Sequence, residues 1–249
     1  MKQNIYDNNV FFQKYDDMRN NEKGHNANDV IEIPTIRSML PDLTDMKILD
    51  LGCGYGENCK YFIDNGAKQV LGIDISTNMI EIAKNNNKND KIDYKVMSME
   101  DINKLEEKFN LVISSLAVHY VEDFDKLCKD VSNLLEKDGY FIFSQENPVG
   151  TGTILNEECN NETKIAIGNK KYYLLSNYNE NGKRLVNWNN CEVIKYHRNF
   201  SYIINTLIKY FEIIELKEPI PTEQMIKQNP KYINQFDKPY FLFIKVKRK

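Results

Sequence analysis

Short apolar runs alternate with amphipathic stretches through the first 150 residues of the chain. The runs, which are typical of buried strands, occupy residues 47–51, 69–74, 92–97, 109–114 and 140–144. Between them, apolar residues recur at helical spacing in residues 57–65, 77–86 and 124–136. Strands that alternate with helices in this way form parallel sheets with helices on both faces. The pattern therefore predicts an α/β fold whose ligands bind beyond the carboxyl ends of the strands.

The alternation of strands and helices stops near residue 150. Residues 172–178 and 184–188 are rich in residues that favour strands, and the intervening Asn179-Glu180-Asn181-Gly182 carries a hairpin signal. A β hairpin inserted after five alternating strands has no place in the parallel sheet itself. Residues 150–195 are therefore expected to form an inserted β cap.

The two ends of the chain complete the predicted single domain. Near its start, Phe11, Phe12, Tyr15 and Met18 lie at helical spacing in a polar segment. After the cap, a helix at residues 201–210 precedes strands at 211–216 and 240–246, which are expected to be antiparallel because a Pro-rich loop joins them. The expected fold is Rossmann-like, with a seven-stranded, mostly parallel sheet whose last strand is antiparallel. Its parts are an N-terminal helical arm (1–46), a core (47–149), the β cap (150–195) and a C-terminal helix with strands that complete the sheet (196–249).

The first predicted strand ends in an acid and runs directly into a glycine turn, Asp50-Leu51-Gly52-Cys53-Gly54-Tyr55-Gly56. Glycine adopts positive φ readily and has no Cβ, so a ligand can lie against the backbone there. The dinucleotide fingerprint G-x-G-x-x-G requires a glycine where this chain has Glu57. Asp50 and Glu57 would also repel a pyrophosphate at the start of the following helix. Both acids suit a cofactor that is cationic and lacks phosphate.

Asp50-x-Gly52-x-Gly54-x-Gly56 resembles motif I of the class I S-adenosylmethionine-dependent methyltransferases. The cofactor of that family carries a sulfonium and an ammonium group. Later segments are similar to the family's further motifs in the same order, at residues 72–76, 97–102, 109–120 and 134–141. The resemblance covers residues 47–146 and implies S-adenosyl-L-methionine as the cofactor and S-adenosyl-L-homocysteine as the product.

The resemblance also implies which residues bind the cofactor. Asp74 closes the second strand, and its two carboxylate oxygens suit the hydroxyls of a ribose, although a solvated acid at a strand end is the alternative. Ser98 stands where the family usually has the aspartate that bonds the adenine amino group, and the Met99 amide is expected to serve the ring. Tyr15 and Arg19 on the arm are expected to close over the methionine carboxylate. The expected cofactor-binding residues are Tyr15, Arg19, Asp50, Gly52, Cys53, Gly54, Gly56, Asp74, Ile75, Met79, Ser98, Met99, Glu100 and Ser115.

Four polar residues are candidates for the chemistry. The sulfonium already activates the methyl group, so such an enzyme mainly positions the acceptor and excludes water. His119, after the fourth strand, is the first candidate base where the acceptor must lose a proton, or it packs the loop. His197 is a second candidate base and Arg198 a bidentate partner for an anionic acceptor, unless Tyr196-His197-Arg198 is only a polar helix start. Glu146 either orients the acceptor or is a solvated strand end.

Composition narrows the class of partner. The chain has 33 basic and 36 acidic residues, a balance that gives no global electrostatic footprint for nucleic acid. Base-methylating enzymes carry an N-P-P-Y type motif after the fourth strand, where this chain has Ser115-Leu116-Ala117-Val118. The five cysteines lack the spacing of a metal site, so no metal is expected. Neither an apolar run of membrane-spanning length nor the apolar core of a signal peptide is visible, which predicts a cytoplasmic protein away from membranes.

The sequence thus predicts a methyltransferase that acts on a small-molecule acceptor by in-line displacement, as a monomer or homodimer. Two alternatives stay open at this point. One is an enzyme of the same fold that acts on nucleic acid or protein. The other is a non-catalytic S-adenosylmethionine-binding regulatory module.

Overall fold

The computed structural model describes residues 3–21, 24–152, 164–168, 170–188 and 191–249. Its strands are β1 (Lys47–Leu51), β2 (Gln69–Asp74), β3 (Ile92–Val96), β4 (Phe109–Ser114), β5 (Leu135–Glu146), β6 (Lys164–Ile167), β7 (Lys170–Tyr173), β8 (Gly182–Trp188), β9 (Cys191–His197), β10 (Phe211–Lys217) and β11 (Phe241–Arg248). Its helices are α1 (Asn9–Asn21), α2 (Ile33–Arg37), α3 (Glu57–Asp64), α4 (Thr77–Asn86), α5 (Phe124–Leu134), α6 (Pro148–Thr151), α7 (Phe200–Tyr210) and α8 (Glu223–Gln228).

In these ranges a seven-stranded sheet has the order β10-β11-β5-β4-β1-β2-β3. The neighbours from β5 to β3 are parallel, whereas β11 is antiparallel to both β5 and β10. The predicted Rossmann-like sheet, with its last strand antiparallel, is confirmed. The order reverses between β1 and β4, which places the carboxyl ends of β1, β2 and β4 around one crevice.

Both faces of the sheet are buried because the apolar side chains of its strands alternate between two cores. In β1, Leu49 and Leu51 belong to the core under α5 and α7, while Ile48 belongs to the core under α2, α3 and α4. Phe124 and Leu207 close the first core, and Phe62 closes the second. A sheet covered in this way holds its carboxyl-end loops on a rigid support.

The N-terminal arm is tied to the start of α4 by one carboxylate. Asp7 accepts hydrogen bonds from the Ser76 hydroxyl at 2.5 Å and from the amides of Thr77 and Asn78 at 3.2 Å each. Burial pushes the pKa of Asp7 upward, but these hydrogen bonds outweigh it and lower the pKa below its ordinary value. An acid at a helix N-terminus satisfies amides that the helix leaves unpaired. The arm therefore lies across the carboxyl edge of the sheet.

The cap is built differently from the prediction. The expected hairpin between residues 172–178 and 184–188 is wrong, because β7 pairs with β6 and β8 pairs with β9. Gly182 does adopt positive φ, at 138°, but it opens β8 rather than closing a two-residue turn. Instead, the Arg184 guanidinium donates to the carbonyl oxygens of Asn177 and Glu180 and so fixes the loop that precedes β8. The prediction that residues 196–198 start a polar helix is also wrong, because Tyr196 and His197 are the last residues of strand β9.

The structure differs from the prediction in two smaller ways. The helix predicted over residues 124–136 ends at Leu134, and β5 begins at once. The Pro-rich loop before β11 contains the short helix α8 and a 3₁₀ segment, Pro230–Phe236. The strands on either side, β10 and β11, are antiparallel as predicted.

The described ranges contain free thiols at Cys53, Cys59, Cys128 and Cys191, while Cys159 lies outside the described residues. In the same ranges, no helix combines the length and apolar character needed to cross a bilayer.

The glycine turn provides a matched test of the fold. Gly52 has φ +73°, and an added Cβ would lie 2.6 Å from the Ala117 Cβ, whereas Gly54, at φ +52°, has open space around that position. Gly52→Ala should therefore combine backbone strain with overpacking and lower the free energy of unfolding by about 2 to 5 kcal/mol. Gly54→Ala should lose only the strain, about 1 to 2 kcal/mol. Urea unfolding of both variants measures this difference, and equal losses would contradict the tight packing at Gly52.

Candidate active site

A cavity of about 520 Å³ lies at the carboxyl ends of β1, β2 and β4. The glycine turn, the residues after β2, the turns after β3 and β4, the N-terminal arm and strand β8 all contribute to its wall. Eleven of the fourteen expected cofactor-binding residues line it: Tyr15, Arg19, Gly52, Cys53, Asp74, Ile75, Met79, Ser98, Met99, Glu100 and Ser115. The chain thus brings distant segments together where the topology predicts a ligand site.

Gly54, Gly56 and Asp50 do not line this cavity. Gly56 has φ +77°, and an added Cβ would lie 2.4 Å from the Tyr94 hydroxyl, so it is required by packing inside the fold. Gly54 acts through its amide, which donates to Asp74 Oδ2 at 3.0 Å.

The expectation for Asp50 needs a correction. Its side chain is 1 % exposed, and Cys59 Sγ donates to its Oδ2 at 3.3 Å. Burial raises the pKa of Asp50 to about 7, so it is partly protonated near neutral pH. The negative charge near the turn comes from Glu57 instead, which lines the cavity and pairs with Arg19 at 2.7 Å.

Asp74 is held in place by two amides. Its Oδ1 accepts from the Ser76 amide at 2.9 Å, and its Oδ2 accepts from the Gly54 amide at 3.0 Å. Burial raises the pKa of Asp74, and these two bonds oppose that rise. Each carboxylate oxygen has a second lone pair, so both remain able to accept a hydroxyl from a ligand in the cavity.

The turn after β3 forms the opposite wall. Ser98 caps the 3₁₀ segment Met99–Lys104, and its Oγ accepts from the Glu100 amide at 3.2 Å. A hydroxyl that accepts from the backbone still has its proton to donate. Ser98 therefore faces a ligand as a donor, where an aspartate would be an acceptor only.

Aromatic residues from the arm, the turn after β4 and strand β8 line the cavity. Tyr6 and Tyr15 from the arm have ring centroids 5.2 Å apart, and Tyr15 lies 6.1 Å from Trp188 of β8. The hydroxyls of Tyr6 and Tyr120 are 3.4 Å apart. Of these aromatic residues, the sequence predicted only Tyr15 as part of the site. Trp188, the single tryptophan of the chain and part of the predicted cap, was the one available signal for the others.

Glu32 is a functional candidate that the sequence reasoning missed. It lines the cavity although it is 1 % exposed, and it accepts hydrogen bonds from Ser115 Oγ at 2.7 Å and Ser144 Oγ at 2.6 Å. Burial raises its pKa. Its signal in the sequence was an acid inside the apolar run Val30-Ile31-Glu32-Ile33.

His119 and Glu146 both reach the cavity. The His119 side chain is buried on the turn Val118–Tyr120, and its Nδ1 has no hydrogen-bond partner among the described residues. Burial lowers the pKa of His119 to about 4, so the ring is neutral at pH 7. Glu146 pairs with Lys195 of β9, and this charge holds the pKa of Glu146 below its ordinary value although burial opposes it.

The predicted role of Arg198 as an anion clamp in this cavity is wrong. Its buried guanidinium donates to the carbonyl oxygens of Val118, Val121 and Glu122, because these groups need partners inside the fold. Arg198 thus supports the turn that carries His119. His197 also lies outside this cavity; its Nε2 contacts the Tyr178 carbonyl oxygen at 2.8 Å and its Nδ1 contacts Thr151 Oγ1 at 2.6 Å.

Comparisons with known proteins agree with this geometry. Residues 49–143 match a methyltransferase domain family. A solved S-adenosylmethionine-dependent methyltransferase from Mesorhizobium loti is 32 % identical, with a TM-score of 0.79 over 87 % of this chain and 97 % of that one. A Listeria monocytogenes protein assigned to the same class is 35 % identical, with a TM-score of 0.77 over 88 % of this chain and 98 % of that one. An uncharacterised protein of Haemophilus influenzae is 34 % identical over 99 % of this chain and 98 % of its own length.

The chain belongs to the class I S-adenosylmethionine-dependent methyltransferases. It is an enzyme whose cofactor is S-adenosyl-L-methionine. A ubiquinone biosynthesis O-methyltransferase from Pelagibacter ubique is also similar, at 40 % identity over 45 % of this chain and 47 % of its own length.

Asp74 provides the test of the cofactor site. If its carboxylate accepts the ribose hydroxyls, Asp74→Ala should remove two charge-assisted hydrogen bonds and weaken S-adenosyl-L-homocysteine binding by about 2 to 4 kcal/mol. Titration calorimetry measures this loss. Asp93→Ala, which removes an exposed acid from β3, is the control and should leave the affinity unchanged. An Asp74→Ala variant that binds as tightly as the wild type would refute the ribose role.

Proposed function

We propose that this enzyme transfers the methyl group of S-adenosyl-L-methionine to a small-molecule acceptor by in-line displacement. The observation that carries the proposal is the enclosure of the cavity by the arm and the cap. Gln3 of the arm exchanges two hydrogen bonds with the Ile194 backbone of β9, at 3.1 and 2.6 Å, directly above the cavity that Trp188 also lines. A cavity that the arm and β9 partly cover in this way favours a small acceptor over a polymer.

The charge of the cavity wall supports the same proposal. Two cations, Arg19 and Lys195, face five carboxylates, those of Glu32, Glu57, Asp74, Glu100 and Glu146. An acidic wall attracts a sulfonium and an ammonium and repels the phosphates of a nucleic acid. The chain as a whole is also acidic, with a formal net charge of −3.

The relatives favour a small acceptor as well. Ubiquinone biosynthesis O-methyltransferases recur among them at 30 to 40 % identity over less than half of this chain. A ribosomal protein L11 methyltransferase is also similar, at 31 % identity over 40 % of this chain. A protein acceptor is therefore the second candidate. A purely regulatory module is the third, and it would bind the cofactor without turnover on any acceptor.

The roles that we propose for the side chains rest on the family resemblance and on their places in the cavity wall. Asp74 accepts the ribose hydroxyls, Ser98 and the Met99 amide contact the adenine, and Arg19 with Tyr15 holds the methionine end. The cofactor supplies an electrophilic methyl group whose bonding electrons stay on sulfur. His119, neutral at pH 7, accepts the proton that the acceptor loses. Glu146 orients the acceptor, and the β cap, residues 150–195, covers it.

A turnover screen tests the proposed acceptor class. The enzyme is incubated with S-adenosyl-L-methionine and pools of small molecules, and mass spectrometry detects products that have gained one methylene unit. We expect at least one methylated small molecule, formed at a rate that depends on enzyme concentration. Methylation of a whole-cell RNA or protein fraction, with every small-molecule pool inert, would support the second candidate instead.

His119 gives a separate prediction, measured with the acceptor that the screen identifies. A base typically contributes about 10² to 10⁴-fold to the rate, so His119→Ala should lower kcat by that amount while cofactor affinity changes little. Because the active form is the neutral ring and its pKa is about 4, the wild-type rate should stay level from about pH 8 to 5.5 and fall only below about pH 5. A variant with lower thermal stability but unchanged kcat per folded molecule would show that His119 only packs its loop.

A further inference from the structure

Glu32 has one carboxylate oxygen that the fold leaves without a donor. The side chain is 1 % exposed, and both of its hydrogen bonds, from Ser115 Oγ at 2.7 Å and from Ser144 Oγ at 2.6 Å, end on Oε1. Oε2 accepts no hydrogen bond from any residue that the structure describes. Since Glu32 lines the cofactor cavity, Oε2 is the oxygen left to accept from a ligand there.

No basic side chain in the described ranges forms an ion pair with Glu32. Arg19 and Arg37 are the two cations whose charge reaches it. Arg19 is already paired with Glu57 at 2.7 Å, and the Arg37 guanidinium lies 3.8 Å from the centre of the Tyr61 ring. A buried carboxylate without a cation is destabilising, so a ligand cation that reaches Oε2 would be stabilised there.

Glu32 is better suited than Asp50 to hold a cation. Burial raises the pKa of Glu32, but the hydrogen bonds from Ser144 and Ser115 oppose that rise because they favour the ionised form. Asp50 does not line the cavity, and burial raises its pKa to about 7. The acid that ends β1 is therefore not the one that faces a cationic ligand.

The other carboxylates of the cavity wall have partners or proposed roles elsewhere. Glu57 and Glu146 are each in an ion pair. Asp74 ends β2 and Glu100 follows β3, on the side of the cavity where the ribose and the adenine are proposed to lie. Glu32 is the carboxylate of this wall that lies beside β4 and β5.

The order of the strands sets the direction of the cofactor. Strands β3, β2, β1 and β4 are successive neighbours in the sheet. A nucleoside at the ends of β3 and β2 leaves the rest of the ligand to cross the glycine turn after β1 towards β4, a span of about 14 Å for three strand spacings. Ser115 follows β4 directly, and Ser144 lies at the adjoining end of β5. Glu32, bonded to both, thus lies where the methionine part of the cofactor is expected.

Glu32 also supports the turn after β4. Ser144 Oγ accepts from the Leu116 amide at 2.9 Å while it donates to Glu32, and Leu116 has φ +48°. A positive φ is strained for leucine and persists only where its surroundings hold it. A variant that tests the charge of Glu32 must therefore keep its hydrogen bonds to the serines.

We propose that Glu32 Oε2 accepts a hydrogen bond from the ammonium group of S-adenosyl-L-methionine, so that the arm recognises the amino acid end of the cofactor. Arg19 of the same arm is the proposed partner of the carboxylate, and the two residues divide the zwitterion between them. This inference rests on the proposed cofactor roles of Asp74, Ser98 and Arg19, because these set the direction in which the cofactor lies. It is independent of the acceptor class.

Calorimetry with two ligands tests the role of Glu32. S-adenosyl-L-homocysteine and its deaminated analogue, in which hydrogen replaces the ammonium group, are titrated separately into the protein at constant ionic strength. The wild type should bind S-adenosyl-L-homocysteine about tenfold to a hundredfold more tightly than the analogue, the range expected for one charge-assisted hydrogen bond. Glu32→Gln retains an oxygen that can accept from both serines but replaces Oε2 with a donor. It should lose most of the preference and bind the analogue as tightly as the wild type does.

Two further variants serve as controls. Glu32→Asp keeps the charge on a shorter side chain and should retain a larger preference for S-adenosyl-L-homocysteine than Glu32→Gln does. Glu81→Gln removes an exposed acid of α4 that does not line the cavity, and it should match the wild type with both ligands.

Two results would overturn the proposal. One is a wild type that binds both ligands equally, a measurement that needs no variant to fold. The other is a Glu32→Gln variant that weakens both ligands by the same factor, since Glu32 would then only support the turn after β4. The proposed function fails separately: an Asp74→Ala variant with unchanged affinity refutes the ribose site, and a turnover screen without a methylated small molecule refutes the acceptor class.

Discussion

The hydrogen bond from the Gly54 amide to the Asp74 carboxylate joins the glycine turn after β1 to the end of β2, and the cofactor cavity is arranged around it. The turn reaches this position only because Gly52, Gly54 and Gly56 all adopt positive φ. The amides of Gly52 and Cys53 add hydrogen bonds to the Ile73 carbonyl oxygen, at 2.8 and 2.9 Å. The backbone is thereby fixed before any ligand arrives, and such preorganisation reduces the entropy that binding would otherwise lose.

Charge organises the space around this turn. The wall of the cofactor cavity carries more carboxylates than cations and suits a cationic cofactor. Glu146 and Lys195, which both line this cavity, form an ion pair. The arm closes the arrangement through Asp7, which accepts from the Ser76 hydroxyl and the first amides of α4, directly after Asp74. The contacts of the arm and the proposed ribose site therefore lie in one short segment, residues 74–78.

Local patterns were sufficient to predict the core and the loops at its carboxyl edge. The sheet follows from the short apolar runs of β1, β2, β4 and β5, which are buried almost continuously, and the glycine turn and Asp74 follow from short motifs. Local patterns could not predict the roles of residues whose partners lie in distant segments. Arg198 satisfies carbonyl oxygens about 77 residues away in sequence, and Glu32 meets Ser144 112 residues away. The cap is a third example. The local Asn-Gly signal at 181–182 predicted that β8 pairs with the segment before it, whereas β8 pairs with β9, the strand after it.

The central claim is that the cofactor lies in the cavity at the carboxyl ends of β1, β2 and β4, with its ribose on Asp74 and its sulfur towards His119. A crystal structure of the wild-type protein with S-adenosyl-L-homocysteine tests it most directly. The account predicts both ribose hydroxyls within hydrogen-bonding distance of the Asp74 carboxylate, the adenine beside Ser98 and Met99, and the arm still bound at Asp7. A nucleoside bound outside the cavity, or a ribose whose hydroxyls contact other residues while Asp74 keeps only its two amides, would contradict the account.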